Sequence, residues 1–228
     1  DSMIKAGQPK PPFKGKYIIF QVKVEKVIPK GKMTEPAFQN LISAYFKDLS
    51  EQYKKEEPIK MKKYIADNKL TVITTSSGLN YQITKKGNGP TPVAGDTVVV
   101  NYTLKSLNND VIETSVKEEA QKAKKYNPMG QYKPIRIPIG SNQVIPGWEE
   151  GLMLMNKGSK ATFVIPSSLA YGEQGMGQAI APFTSLVFDI ELVDIVKPDP
   201  NAPKPKPVMP SMEQMQQMQQ QMQQHPTK

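Results

Sequence analysis

The sequence predicts an α+β domain: an antiparallel sheet of about five strands curled around one short α-helix and preceded by a helical connector. Three observations predict it. Several stretches between residues 71 and 196 alternate apolar and polar residues with period two. One short segment, opening Val144-Ile145-Pro146-Gly147-Trp148-Glu149-Glu150, carries helix signals and the only tryptophan. Upstream, from Thr34 to Asn68, the apolar residues recur at helical spacing instead.

The connector comes first. Phe38, Leu41, Ile42, Tyr45, Leu49 and Tyr53 fall three or four apart behind Thr34, a plausible N-cap, so a helix is expected to about Lys55. Pro58 should interrupt it, because proline has no N–H and its ring clashes with the preceding turn. A second, shorter helix is then expected through Ile59, Lys62, Tyr64 and Ile65, stopping at Asp67-Asn68. Charge opposite the apolar stripe reads as a connector packed on a neighbouring domain, and residues 34–68 are the candidate surface for a homodimer.

From Thr71 the period is two. Leu79, Tyr81 and Ile83 share a face, as do Val98, Val100, Tyr102 and Leu104, then Ile135, Ile137 and Ile139, then Ala161, Phe163 and Ile165. Gly87-Asn88-Gly89-Pro90 and Gly95-Asp96 mark turns, and Pro138 suits an edge or a bulge. The tryptophan helix should begin at Pro146-Gly147, carry its two acids at the positive end of the helix dipole, and run through Leu152 and Met155 to a left-handed exit at Gly158. About three turns are marginal alone, so the sheet must hold them.

Leu186 to Ile195 is the last strand, and Tyr17 to Val27 repeats its pattern: Phe20 matches Phe188, and a Pro-Phe pair precedes each (Pro12-Phe13, Pro182-Phe183). The repeat leads us to expect that the chain opens at the end of one domain and contains a second. After Val196 come Pro198, Pro200, Pro203, Pro205, Pro207 and Pro210, an extended linker, and then a Met/Gln tail from Met212 that reads as disordered.

Composition narrows the chemistry. Across 228 residues there is no cysteine, and the single histidine is His225 in the tail; disulfides, thiolate catalysis, a Ser-His-Asp triad and Cys/His metal sites are all excluded. No metal and no cofactor is expected. A net charge of +9 is spread through every segment without a basic run interleaved with aromatics, so no nucleic-acid partner is expected. No apolar run is long enough to span a bilayer. What is left for a site is an apolar, aromatic-lined pocket, with Tyr102, Trp148, Tyr171 and Phe188 as candidate walls.

Residues from about Ser76 to Lys197 resemble an FKBP-type peptidyl-prolyl isomerase domain. Four motifs in family order carry the resemblance: Gly95-Asp96 with Val99-Val100-Asn101-Tyr102-Thr103; Val144 to Leu152; Ile165-Pro166 leading to Ala170-Tyr171-Gly172; and Leu186-Val187-Phe188-Asp189-Ile190-Glu191-Leu192. The stretch from Thr34 to Asn68 is similar to connectors of bacterial members with two such domains in tandem. The resemblance implies this layout: residues 1–30, remnant of a preceding FKBP-like repeat; 31–70, helical connector; 71–197, isomerase domain; 198–228, Pro-rich linker and tail.

It also implies a folding catalyst for proline-containing polypeptide clients, open to the family's macrolide inhibitors and at home on the periplasmic side of a bacterial envelope. The alternative is a peptide-binding chaperone module with weak or no turnover. By resemblance Trp148 forms the exposed floor under the proline ring, Tyr102 and Phe188 aromatic walls, Val144 and Ile145 the rim. The Ile145 N–H holds a substrate carbonyl, Tyr171 points its hydroxyl at the twisting carbonyl, and Ile180 closes the other side. Three departures stand out: Ile112-Glu113 replaces the usual Phe-Asp pair, Ile135 an aromatic wall, and Met176 a frequent histidine. Between Glu113 and Pro134 the chain is also longer than in minimal members, and Lys117 to Lys125 looks helical, a candidate flap over the site or an ordinary surface loop.

Such chemistry needs no acid or base. Rotation about an amide faces about 18–20 kcal/mol because resonance must be broken, and X-Pro bonds take tens to hundreds of seconds unaided. The twisted amide is less zwitterionic than the planar one, so a dry apolar pocket favours it over water. An acceleration of about 10⁵ requires roughly 7 kcal/mol of differential stabilisation.

Overall fold

The computed structural model describes Val24, residues 26–177 and residues 180–198. Most of the repeat strand at Tyr17–Val27, most of the domain remnant at 1–30, the proline linker beyond Pro198 and the Met/Gln tail lie outside the described residues. The chain divides into two compact units with the boundary at Asp48/Leu49, inside the first helix.

The connector is one helix, α1 (Glu35–Asp67), with Pro58 inside it, where the sequence predicts two. Its start is as expected: the Thr34 carbonyl accepts from the Phe38 N–H at 3.0 Å. In the first unit Leu41 and Phe46 are exposed, and Glu35 pairs with Lys30 and accepts from Gln39. An interior proline costs about 3 kcal/mol and disfavours helical backbone just before it. What offsets that cost is tertiary. Glu57, the residue before the proline, is held within the second unit by hydrogen bonds to Ser167 and Ser185.

The second unit is the sheet. Its strands are β1 (Ile73–Thr74), β2 (Asn80–Lys85), β3 (Thr97–Lys105), β4 (Val111–Thr114), β5 (Ile135–Pro138), β6 (Lys160–Ile165) and β7 (Leu186–Val196). All pairings are antiparallel, in the order β1-β2-β6-β7-β3-β4, with β5 also on β3. Seven strands exceed the expected five because β1 and β4 are too short to show a period. A bulge between Val99 and Val100 opposes Val100 to Leu192 and Val99 to Asp194. It lets β7 bury Phe188, Ile190 and Leu192 and then turn Ile195, not Asp194, to the core.

Two short helices complete the unit: α2 (Lys117–Lys122) and α3 (Pro146–Leu152). The tryptophan helix is therefore two turns, not three. The Leu154 and Met155 N–H groups turn back to Gly151 and Leu152, and the chain leaves the helix there. Gly158 is left-handed, at φ +87°, but it serves the turn into β6, where its N–H donates to the Leu192 carbonyl at 2.7 Å.

One face of the sheet wraps on α3 and buries Val98, Val100, Ile137, Leu152, Phe163 and Leu186 in the main core. On the other face Tyr64, Met61 and Ile65 of α1 cover Val164 and Val187, both fully buried. Double coverage explains the unbroken burial from Ala161 to Ile165, where alternation alone would leave every second residue wet. The second half of α1 thus packs within the same compact unit as the sheet.

Candidate active site

The site is built around α3. A Cβ on Gly147 would lie 2.5 Å from Ile165 Cγ2, and one on Gly151 would lie 2.4 Å from Phe163 Cε2. Residues four apart share a helix face, so these two glycines seat α3 flush on β6. Trp148, one position round, is left between β3 and β7: Tyr102 meets its ring edge-on with centroids 5.4 Å apart, and Phe188 does so at 5.1 Å. The indole is 4% exposed, which corrects the expectation of an exposed floor, and its buried Nε1 has no hydrogen-bond partner.

Above the three rings lies a cavity of about 430 Å³. Of the residues the sequence singles out, Tyr102, Glu113, Ile135, Val144, Ile145, Trp148, Tyr171 and Phe188 line it. Ile112 and Ile180 do not. Successive strand residues alternate, and it is Glu113, opposite Leu104 in the ladder, that reaches the cavity, while Ile112 packs half-buried on the core. Ile180 is 1% exposed, part of the core itself, bridging backbone to backbone with Met176. Nor does any residue from 117 to 134 line the cavity, so α2 forms no flap over it.

Leu104, Asn142, Gln143, Pro146 and Ala170 complete the wall together with Met176. Leu104 was readable from its place two beyond Tyr102 on β3. The loop pair Asn142-Gln143 carries no comparable signal.

Polar contacts set the geometry. Tyr102 donates its hydroxyl to Glu113 Oε1 at 2.8 Å, while its N–H donates to Ser115 Oγ at 2.9 Å and its carbonyl accepts from the Ser115 N–H at 3.0 Å. Burial first, and the Glu113 carboxylate second, push the Tyr102 phenol well above its ordinary range. On the opposite rim the Asn142 N–H donates to Glu149 Oε1 at 2.9 Å, fixing the loop before Val144. No acceptor among the described residues meets the Ile145 N–H or the Tyr171 hydroxyl. Among the described residues Glu113 is the one acidic side chain in the wall, and no Lys or Arg joins it there. Among the described residues no three His, Cys, Asp or Glu side chains group closely enough to hold a metal ion.

This fold and this aromatic, nearly uncharged cavity define a class. The family model for the FKBP-type peptidyl-prolyl cis-trans isomerase matches residues 89–193, and the chain belongs to the FKBP family. It is 37% identical over 185 residues to the "Probable FKBP-type peptidyl-prolyl cis-trans isomerase FkpA" of Neisseria meningitidis serogroup B, covering 77% of this chain and 62% of that protein. Among solved structures it is similar to a peptidyl-prolyl cis-trans isomerase of Pseudomonas syringae pv. tomato (30% identity, 65% of this chain, 96% of the other, TM-score 0.52). FkpA from Escherichia coli is similar too (30% identity, 73% and 75%, TM-score 0.53). The chain spans about three fifths of the length of the first curated relatives it matches, 62% and 60%.

Proposed function

We propose that this protein is a peptidyl-prolyl cis-trans isomerase acting on proline-containing polypeptides, working by desolvation and transition-state binding. One observation supports the reading: a cavity walled by three aromatic rings and lined as well by Ile145 and Tyr171, whose N–H and hydroxyl meet no acceptor among the described residues. In this reading the proline ring lies on Trp148 between Tyr102 and Phe188, with Ile135 and Val144 at the rim. The Ile145 N–H holds the carbonyl next to proline, and the Tyr171 hydroxyl donates to the carbonyl as it leaves the amide plane. Glu113 acts through Tyr102, fixing that ring by the 2.8 Å hydrogen bond. No proton changes hands. The planar amide's charge separation is lost in the apolar cavity, and the two donors hold the rotating group where water would let it return.

Relaxation of a short X-Pro peptide after a solvent jump tests this. Wild type should accelerate it, Tyr171→Phe by less, and Trp148→Ala hardly at all; a wild-type rate equal to the uncatalysed one overturns the reading. A second reading, a peptide-binding chaperone, is favoured by the aliphatic Ile135 in the wall. It predicts suppressed aggregation of a proline-free client with X-Pro relaxation unchanged.

The wider setting belongs to the same proposal. The layout is a remnant of a preceding domain at 1–30, the connector at 31–70, the isomerase domain at 71–197 and the linker and tail at 198–228. Residues 34–68 are the homodimer surface, which the exposed Leu41 and Phe46 suit. Macrolide inhibitors of the family would compete for the same cavity. The compartment is the periplasmic side of a bacterial envelope. No helix among the described residues is long and apolar enough to cross a membrane. Sedimentation of the full chain against one with Leu41 and Phe46 changed to Ser, and cell fractionation, test dimer and compartment.

A further inference from the structure

A carboxylate outside the cavity is wired to the loop that carries Tyr171. Glu57, on the second half of α1, accepts through Oε1 from the Ser167 N–H at 2.5 Å and from Ser185 Oγ at 2.7 Å, and through Oε2 from Ser167 Oγ at 2.7 Å. Both serines are buried, 3% and 1% exposed, so without Glu57 three polar groups would be left in the interior with no partner. Ser167 opens the 3₁₀ turn Ser167–Leu169. Its carbonyl accepts from the N–H groups of both Ala170 and Gly172, at 2.9 and 2.8 Å, and so brackets Tyr171. Ser185 stands directly before Leu186, where β7 starts toward Phe188. Ser50, two helical turns earlier on α1, reaches the same loop, donating to Glu173 Oε1 at 3.1 Å. Met61 and Ile65 already hold the helix to the sheet by apolar contact, so docking alone does not require a carboxylate at position 57.

We propose that Glu57 is a positioning residue for the site: its carboxylate clamps Ser167 to Ser185 and thereby sets the Tyr171 hydroxyl over the cavity. The effect on turnover rests on the isomerase reading; the effect on the loop does not. Each serine hydroxyl has the one carboxylate as its partner, and a misplacement of about 1 Å at a catalytic group is enough to cost about 10²-fold. The connector is in this way part of the machinery, and its register along the sheet reaches the reacting carbonyl through one side chain.

The test uses the full chain and four variants, Glu57→Ala, Glu57→Gln, Ser185→Ala and Tyr64→Phe, the last removing a different α1 contact, the hydrogen bond to Asn109. The expected result is a fall of about tenfold in kcat/KM for Glu57→Ala, carried mainly by kcat, with Glu57→Gln restoring most of it and Tyr64→Phe within about twofold of wild type. Combined with Tyr171→Phe, Glu57→Ala should add little, because the group it positions is already gone. Amide exchange reads the loop directly. The Ala170 and Gly172 N–H groups should exchange about tenfold faster in Glu57→Ala and measurably faster in Ser185→Ala. Unchanged protection at those two amides, or losses from Glu57→Ala and Tyr171→Phe that multiply in full, overturn the proposal. A wild type without turnover would remove the isomerase reading, and the exchange result would still decide the clamp.

Discussion

Gly151→Ala sets two effects of opposite sign against each other. Alanine in a helix interior is favoured over glycine by about 1 kcal/mol, so propensity alone predicts a more stable protein. The structure predicts the reverse. The new Cβ would lie 2.4, 2.6 and 2.9 Å from three atoms of the Phe163 ring, against a normal carbon contact of about 3.5–4.0 Å. Relief requires α3 or the ring to move by roughly 1 Å. Phe163 is fully buried and has no room to turn. Overpacking of this kind costs about 1–3 kcal/mol, so the net is a loss of up to about 2 kcal/mol. At about 2–4 °C per kcal/mol for a domain of this size, Tm should fall by several degrees. Lifting α3 also shifts the indole away from Tyr102 and Phe188, so the emission of the only tryptophan should change and peptide affinity should drop. Thermal unfolding followed by Trp148 fluorescence reads both at once. A raised Tm with an unchanged emission maximum would refute the close seating of α3 on β6.

Other consequences follow from single groups. Lys197 first, then the Val93 N–H, hold Asp96 below its ordinary 3.8; the stability this contributes is present above about pH 4 and lost as pH falls through the depressed folded value, and Lys197→Ala should flatten that acid limb in a pH series of unfolding curves. Tyr102 should resist ionisation well past its ordinary 10.0 in an ultraviolet titration. Its contribution to stability should be full below about pH 10 and lost as pH rises through the raised value, and Glu113→Gln should lower that value only in part, because burial is the larger cause. Ile135→Tyr adds a ring to the cavity wall. At about 0.5–1.5 kcal/mol per aromatic pair, it should tighten an X-Pro peptide several-fold in a Trp148 fluorescence titration.

The long strands were legible because in each the residues two apart pack into the core around α3. Residues 97–105, 160–165 and 186–196 all read as strands, and Trp148 as the centre of the short helix. The failures have physical causes. Pro58 predicts a break, and only the distant Ser167 and Ser185, which hold Glu57, explain why α1 runs through. The length of α3 is set by the turn at Met153–Met155, which its Gly158 signal does not report. At the cavity, aromatic residues announced themselves by type, and the rim at Val144–Ile145 by its motif. Position in the family pattern points Ile112 and Ile180 at the cavity, whereas β4 holds Ile112 half-buried against the core and the loop before β7 buries Ile180 within it. The Glu57 clamp joins residues 110 and 128 apart in sequence, and no local pattern points to it.

The most direct measurement is kcat/KM for an X-Pro peptide across about pH 5 to 9, in water and in D₂O. An apolar cavity that binds a twisted amide with no proton transfer predicts clear acceleration, a flat profile and an isotope ratio near one. No acceleration, or a bell-shaped profile with a several-fold isotope effect, would contradict it.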